Sequence, residues 1–264
     1  MVASALLGLA NRVGLAAVQN TWLGAAELGA NGALPSPLPP RALDELQNGG
    51  FTVVPRWLPP KTCARLKEDA STLQASFARE ARVGTRRDSN RLEIPTRRAS
   101  TLALHPPPTL SGDVGTRLAL TKMMRGLCSE LNGGSLPPLA PSDTELGYVY
   151  YPVDGYYARH VDVPAAHGGW LDGGRVRREV SVLLYLDEGW EASMGGALRI
   201  HRDDETADGE PLPPIDVLPE AGTLVLLRSD AIAHEVLPTR RQRTGVVGWL
   251  RTTRRAAGGR SANR

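Results

Sequence analysis

Between Leu146 and Arg251 the sequence breaks into eight short runs rich in Val, Leu, Ile and Tyr, separated by Gly, Pro and Asp. They are Leu146 to Tyr151, Tyr156 to Asp162, Glu179 to Leu186, Ala197 to His201, Ile215 to Leu218, Thr223 to Leu227, His234 to Leu237 and Gly245 to Arg251. Runs this short, bounded by turn residues, read as strands that close into two packed sheets or a barrel. A mainly β fold of the double-sheet jelly-roll type is therefore expected.

The first half of the chain supplies helices to that sheet. Phe51 to Val54 reads as a strand and Pro59-Pro60 as a helix entry. Lys61 to Glu80 reads as an amphipathic helix with Leu66, Ala70, Leu73 and Phe77 on one face. A second helix is expected from Pro108 to Asn132, with Val114, Leu118, Leu127 and Leu131 as its apolar stripe and Gly133-Gly134 as its stop. The simplest role for these N-terminal helices is to support a sheet.

The ends of the chain differ from this middle. Residues 1–40 are rich in Ala, Gly and Leu, carry only Arg12 and Glu27 as charged side chains, and finish in PSPLPP. Residues 1–45 thus read as a leader or linker. The scarcity of acids admits an organelle transit peptide, whereas the lack of a basic residue before the apolar stretch argues against a secretory signal. Residues 46–253 read as one domain, and 254–264 as a basic disordered tail. No apolar run is long enough for a membrane helix, so no membrane partner is expected. Two cysteines, Cys63 and Cys128, cannot build a disulfide framework; they read as small buried hydrophobes of a reducing compartment, and a cytoplasmic location is expected. Basic residues concentrate in 79–98 and 251–264, patches that suit an acidic peptide, nucleic acid or plain solvent. The polar stretch 84–100 reads as a solvated hairpin or loop.

The chemistry starts at His160-Val-Asp162. If the run Tyr156 to Asp162 is one strand, His160 and Asp162 share a face. His234, which follows the strand Thr223 to Leu227, is the best third ligand. Two imidazoles and one carboxylate on one side of an ion leave its other positions open, the arrangement of non-haem Fe(II) oxygenases. Zinc also accepts such ligands. A structural zinc site, however, prefers four groups rich in cysteine, and neither Cys63 nor Cys128 has ligand spacing. The other histidines read differently, His105 as part of a turn, His167 and His201 as solvated.

The surroundings carry a resemblance. His160-Val-Asp162-Val-Pro is followed in order by Tyr185-Leu186-Asp187, Trp190, Gly195-Gly196, Pro219-x-x-Gly222, Ser229-Asp230, His234-Glu-Val-x-Pro238, Arg243 and Trp249. This order resembles the Fe(II)/2-oxoglutarate prolyl 4-hydroxylase superfamily, and within it the oxygen-sensing type, from about Gly84 to Thr253. The resemblance implies a double-stranded β-helix with Fe(II) held by His160, Asp162 and His234. It implies 2-oxoglutarate anchored by Arg243, with Tyr185 sharing the distal carboxylate and Tyr151 near the chelating end. O2 would be the second cosubstrate and L-ascorbate the reductant. It further implies substrate contacts from Arg86 and Asp88, which match an R-x-D element before a mobile hairpin (86–98), and from Trp249. The implied reaction hydroxylates a prolyl residue of a protein or peptide and releases succinate and CO2.

Strand alternation puts Arg241 and Arg243 on one face, so the choice of Arg243 rests on the resemblance. Two departures stand out. Gly245 replaces the serine of the Arg-x-Ser that many 2-oxoglutarate enzymes carry, and the collagen-type enzymes usually have Lys where Arg243 stands. AlkB-like nucleic-acid demethylation is the first alternative, but that group carries Arg-x5-Arg where this chain has Arg243 and Trp249, so nucleic acid is not the expected partner. The second is a non-catalytic binding module of the same fold, against which every ligand and anchor position is filled.

Overall fold

A computed structural model describes residues 37–81, 96–104, 111–132, 134, 136–163, 170–171, 176–202 and 212–253. In chain order its main elements are α1 (Pro40–Asn48), β1 (Phe51–Val54), α2 (Pro60–Phe77), β2 (Arg79–Glu80), β3 (Arg97–Arg98), β4 (Ser100–Ala103) and α3 (Val114–Leu131). There follow β5 (Glu145–Tyr151), β6 (Tyr156–His160), β7 (Trp170–Leu171), β8 (Val176–Tyr185), β9 (Leu198–Ile200), β10 (Ile215–Val217), β11 (Leu224–Arg228), β12 (His234–Val236) and β13 (Arg243–Thr253).

The strands form two antiparallel sheets, the expected mainly β jelly roll. The large sheet runs β1-β11-β8-β13-β5-β4-β2, with β7 paired to β8, and the small sheet runs β10-β9-β12-β6-β3. Strands of the large sheet are covered on both faces, which is why VSVLLY and LVLL are apolar at consecutive positions rather than alternate ones. Along them the side chains divide by parity. Tyr148, Tyr150, Val180, Val182, Leu184, Leu224, Leu226 and Val246 pack against the helices, with Leu66, Leu73, Leu120 and Leu127 opposite. Val149, Tyr151, Tyr185, Val225 and Leu227 face the small sheet and meet Leu198, Ile200, Val217 and Val236. Each fully buried Leu or Val contributes about 1.5–3 kcal/mol of transfer free energy, so both layers hold the sheet flat against its neighbours. Cys63 and Cys128 are free and buried in the helix layer, as expected, and burial pushes the Cys63 thiol up to about 11.

One polar cluster crosses the helix layer. Asp69 on α2 accepts from Arg117 Nη1 of α3 (2.6 Å), from the Asp113 N–H and from the Tyr148 hydroxyl (2.8 Å). Arg117 Nη2 donates in turn to Ser111 O (2.7 Å). Two helices and a strand are thereby fixed to one another by a buried ion pair.

The boundaries required four corrections. Residues 40–45 belong to α1, where Pro40 suits the first helical turn and Ala42 and Leu46 are buried, so the folded part starts before residue 46. Helix α2 stops at Phe77, and Arg79–Glu80 becomes a strand paired with β4. Helix α3 starts at Val114, not Pro108, because Asp113 caps it by accepting the Thr116 N–H (2.9 Å). Within the polar 84–100 stretch, Arg97–Arg98 pairs with β6 and is not loop. Residues 82–95 and 254–264 lie outside the described residues, as do His105 and His167. Among the described residues no helix is long and apolar enough to cross a membrane.

Candidate metal and cosubstrate site

The site lies between the sheets and depends on an irregularity in β6. His160 pairs across the ladder with His234, yet Val236 pairs with Tyr157, so Ala158 and Arg159 together oppose the single residue Glu235. Strict alternation would send Tyr157 and His160, three positions apart, to opposite faces. The extra residue of this β-bulge brings both to the groove. Their rings stack at 3.6 Å with an interplanar angle of 21°, and the His160 and His234 rings lie 4.4 Å apart. Each imidazole holds its Nδ1 against a backbone carbonyl two residues earlier on its own chain, His160 to Ala158 O (2.9 Å) and His234 to Ile232 O (3.0 Å). A carbonyl only accepts, so Nδ1 carries the proton and each Nε2 presents its lone pair inward.

Asp162 reaches the same point by another route than expected. Strand β6 ends at His160, and Asp162 sits in the bend beyond it. The bend is tied to the end of β11 by the Val163 N–H, which donates to Ser229 O (3.0 Å). Asp162 Oδ1 is 3.4 Å from His160 Nε2 and Oδ2 is 3.8 Å from His234 Nε2. The ligand atoms of His160, Asp162 and His234 all lie within 4.8 Å of one another, so the three can hold one metal ion. Burial alone would raise the Asp162 carboxyl, but the two neighbouring imidazoles, His160 and His234, and the Ser181 hydroxyl bring it well below the usual carboxylate range. Burial likewise depresses the basicity of His234, against the opposing pull of Asp162, which favours the neutral, ligating imidazole.

Deeper in the groove stands Arg243, the first residue of β13 and only 3% exposed. It pairs with Tyr151 of β5. Its guanidinium carbon lies 4.8 Å from the Tyr185 ring and 5.1 Å from that of Tyr151. Nη1 donates to Gly196 O (2.8 Å), and among the described residues no carboxylate lies within ion-pair distance. Gly195 and Gly196, at φ +65° and +67°, turn that carbonyl inward; a Cβ on Gly195 would come within 2.4 Å of Pro238 O. The buried hydroxyl of Tyr185 has no hydrogen-bond partner, and burial pushes it up to about 12 against the opposing charge of Arg243. A buried cation without a counter-ion, beside a buried donor without an acceptor, fits an incoming carboxylate. The start of β13 is itself anchored, since Asp187 accepts the Thr244 N–H (2.5 Å) and the Lys67 ammonium (2.8 Å). Arg241 precedes β13, so the two arginines are not alternating strand neighbours. It lies over Trp190 (5.3 Å) and donates to the carbonyls of Glu188 and Gly189.

Trp249 continues the groove face of β13, paired with Ser181 on one side and Glu145 on the other. The Arg178 guanidinium covers its ring at 3.6 Å, and Glu145 holds both Arg178 (2.6 Å) and Arg251 (3.2 Å). On the opposite wall Arg97 lies 4.5 Å over Tyr157, whose other neighbour is His160. Burial raises the Tyr157 hydroxyl above its ordinary range, partly offset by Arg97.

Residues 146–251 match the 2OG-Fe(II) oxygenase superfamily. This stretch is similar to a 2OG-Fe(II) oxygenase domain. The superfamily implies Fe(II), 2-oxoglutarate and O2, and the donor set and the carboxylate-ready pocket fit the first two. Among solved structures the domain resembles a Pseudomonas putida prolyl-4-hydroxylase at 27% identity and TM-score 0.63, over 82% of this chain and 98% of the other. A Trichoplax adhaerens prolyl hydroxylase, in complex with a hypoxia inducible factor oxygen degradation domain peptide fragment, shares the fold at 19% identity and TM-score 0.62, over 79% of this chain and 86% of the other. The epimerase SnoN, in complex with Fe3+, alpha ketoglutarate and nogalamycin RO, shares it at 16% identity and TM-score 0.53, over 85% and 91%. No curated protein matches the sequence.

The fold thus brings His160, Asp162, His234, Arg243, Tyr151, Tyr185 and Trp249 into one groove, while Arg86 and Asp88 lie outside the described residues. His201 is not solvated as expected: its Nε2 lies 3.1 Å from Glu235 Oε1 and its side chain is 19% exposed. Sequence reasoning missed Tyr157, Arg178, Glu145, Arg97, Ser181 and Asp187 as groove or anchoring residues. Ser181 had a visible signal, a lone hydroxyl at a position of β8 where every neighbour is apolar. The bulge that turns Tyr157 inward left none.

Proposed function

We propose that this oxygenase domain hydroxylates a prolyl residue of a protein or peptide. The substrate C–H bond, 2-oxoglutarate and O2 become a C–OH bond, succinate and CO2. When bound by His160, Asp162 and His234, Fe(II) supplies the activation of O2 that a side chain cannot provide. The chain's own residues do the rest. Arg243 and the Tyr185 hydroxyl hold the distal carboxylate of 2-oxoglutarate, and Tyr151 closes the pocket beside them. Tyr157, Trp249 and Arg97 form the walls against which the substrate lies, and the resemblance adds Arg86 and Asp88 as substrate contacts. L-ascorbate is the reductant that the resemblance implies. Residues 46–253, extended back to Pro40, are the functional unit, and it acts in the cytoplasm.

The dioxygenase reading is carried by Arg243, a buried cation whose carboxylate partner the described part of the chain does not provide. The prolyl reading is supported by the likeness to the Pseudomonas putida enzyme over almost its whole length. The test is mass spectrometry of cell-extract peptides after incubation with the protein, Fe(II), 2-oxoglutarate and ascorbate. Addition of one oxygen atom to proline is the expected result. Succinate formed only alongside oxidation of another residue or of nucleic acid would replace the prolyl assignment.

A further inference from the structure

Behind Asp162 lies a pair of buried serines. Ser181, on the groove face of β8, is 0% exposed, and Ser229, one residue past β11, is 1% exposed. Ser181 Oγ is 2.5 Å from Asp162 Oδ2 and 2.8 Å from Ser229 Oγ. The direction of these bonds follows from proton counting. A ligating carboxylate is ionised and only accepts, so the single Ser181 proton goes to Oδ2, and Ser229 must donate to Ser181 Oγ. Each carboxylate oxygen faces one imidazole, Oδ1 that of His160 and Oδ2 that of His234, but only Oδ2 also accepts the serine hydroxyl, so the two are unequal.

We propose that the Ser229–Ser181 relay positions Asp162 so that it offers a metal one oxygen, Oδ1, rather than both. The inference rests on the metal site assigned above. A carboxylate free to turn can chelate an ion through two oxygens, and the second would take a coordination position that cosubstrate needs. A hydroxyl fixed on Oδ2 holds the carboxylate plane and lowers the basicity of that oxygen. The relay cannot drift. Ser181 sits in register between Leu227 and Trp249. The Ser229 N–H is bound to Glu179 O (3.1 Å), and its carbonyl holds the bend that carries Asp162. Ser181 is thus a positioning residue, acting through Asp162.

The test titrates Mn(II) and Co(II) into chelator-stripped full-length protein, following Mn(II) affinity by calorimetry and Co(II) coordination by visible absorption. Ser181→Ala is expected to weaken Mn(II) binding by about 10- to 100-fold and to change the Co(II) spectrum, which reports ligand number. Ser181→Thr, which keeps a hydroxyl, is expected to restore both, and Ser229→Ala to give a smaller loss. A purely structural pair would lower the thermal midpoint of Ser181→Ala and leave affinity and spectrum at wild-type values, and that outcome overturns the proposal. If Ser181→Ala does not fold, Ser229→Ala decides, with wild-type affinity and spectrum counting against the relay. Wild-type protein that binds neither ion would overturn the metal site itself, which separates the two failures.

Discussion

Two buried arginines stand on opposite sides of the large sheet and have opposite environments. Arg117, in the helix layer, is 5% exposed and ion-paired to Asp69, which is also held by Tyr148 and the backbone of Asp113. Arg243, in the groove, is 3% exposed and has a carbonyl, an aromatic wall and no carboxylate among the described residues. Removing a guanidinium from water costs several kcal/mol unless an anion answers it. In the helix layer the chain supplies that anion, and the result is architecture. In the groove no described residue supplies one, and the proposed function gives that place to the carboxylate of 2-oxoglutarate.

Substitutions can break this contrast, beginning with the largest effect. His160→Ala, Asp162→Ala or His234→Ala should each abolish Fe(II)-dependent succinate formation while leaving the thermal midpoint near wild type, because open-site ligands serve chemistry more than folding. A variant that still turns over would remove its residue from the triad. Next, Asp69→Ala leaves Arg117 buried and unpaired, and should cost about 3–5 kcal/mol of stability. Denaturant unfolding measures this, and 2-oxoglutarate affinity below the transition should not change. If that affinity falls with stability, the two layers are not independent.

Smaller effects sharpen the picture. Gly196→Ala forces an L-residue to φ +67° and sets a Cβ 2.9 Å from the Thr239 side chain, so roughly 1–3 kcal/mol of stability should be lost. Because Gly196 O accepts from Arg243, 2-oxoglutarate affinity should drop as well, and calorimetry on the variant would show whether that carbonyl matters. Arg241→Ala, on the surface side of Trp190, should change 2-oxoglutarate affinity by no more than about twofold, equivalent to roughly 0.5 kcal/mol. A larger loss would mean that Arg241 contributes to the anchor.

How much of this was legible in the sequence depended on which physical rule set each feature. Short apolar runs between turn residues reported the two sheets, and the order from His160 to Trp249 reported the groove residues. Element ends were less legible, because they depend on single contacts such as the Asp113 cap of α3 or the packing of Ala42 beneath α1. Asp162 comes beside His160 and His234 for a different reason than the expected one. Alternation in a strand was expected to align it with His160, whereas a bend held by Ser229 does so. Tyr157 was invisible because a bulge overrides alternation, and a bulge is set by its partner strand rather than by the local residues. Strand β2 was read as helix end, β3 as part of the polar hairpin or loop, and β4 not at all, because pieces of two to four residues carry no period of their own.

The most direct test of the central claim is calorimetric titration of 2-oxoglutarate into the Mn(II)-loaded protein, wild type against Arg243→Lys. If the guanidinium holds the distal carboxylate through two directed hydrogen bonds, the lysine variant keeps the charge, loses one bond and binds more weakly by about 1.5–3 kcal/mol. That corresponds to roughly ten-fold to a hundred-fold in Kd, with Mn(II) affinity unchanged. Equal 2-oxoglutarate affinity in the two proteins would contradict the account, since the arginine that has no carboxylate partner among the described residues would then be waiting for something else.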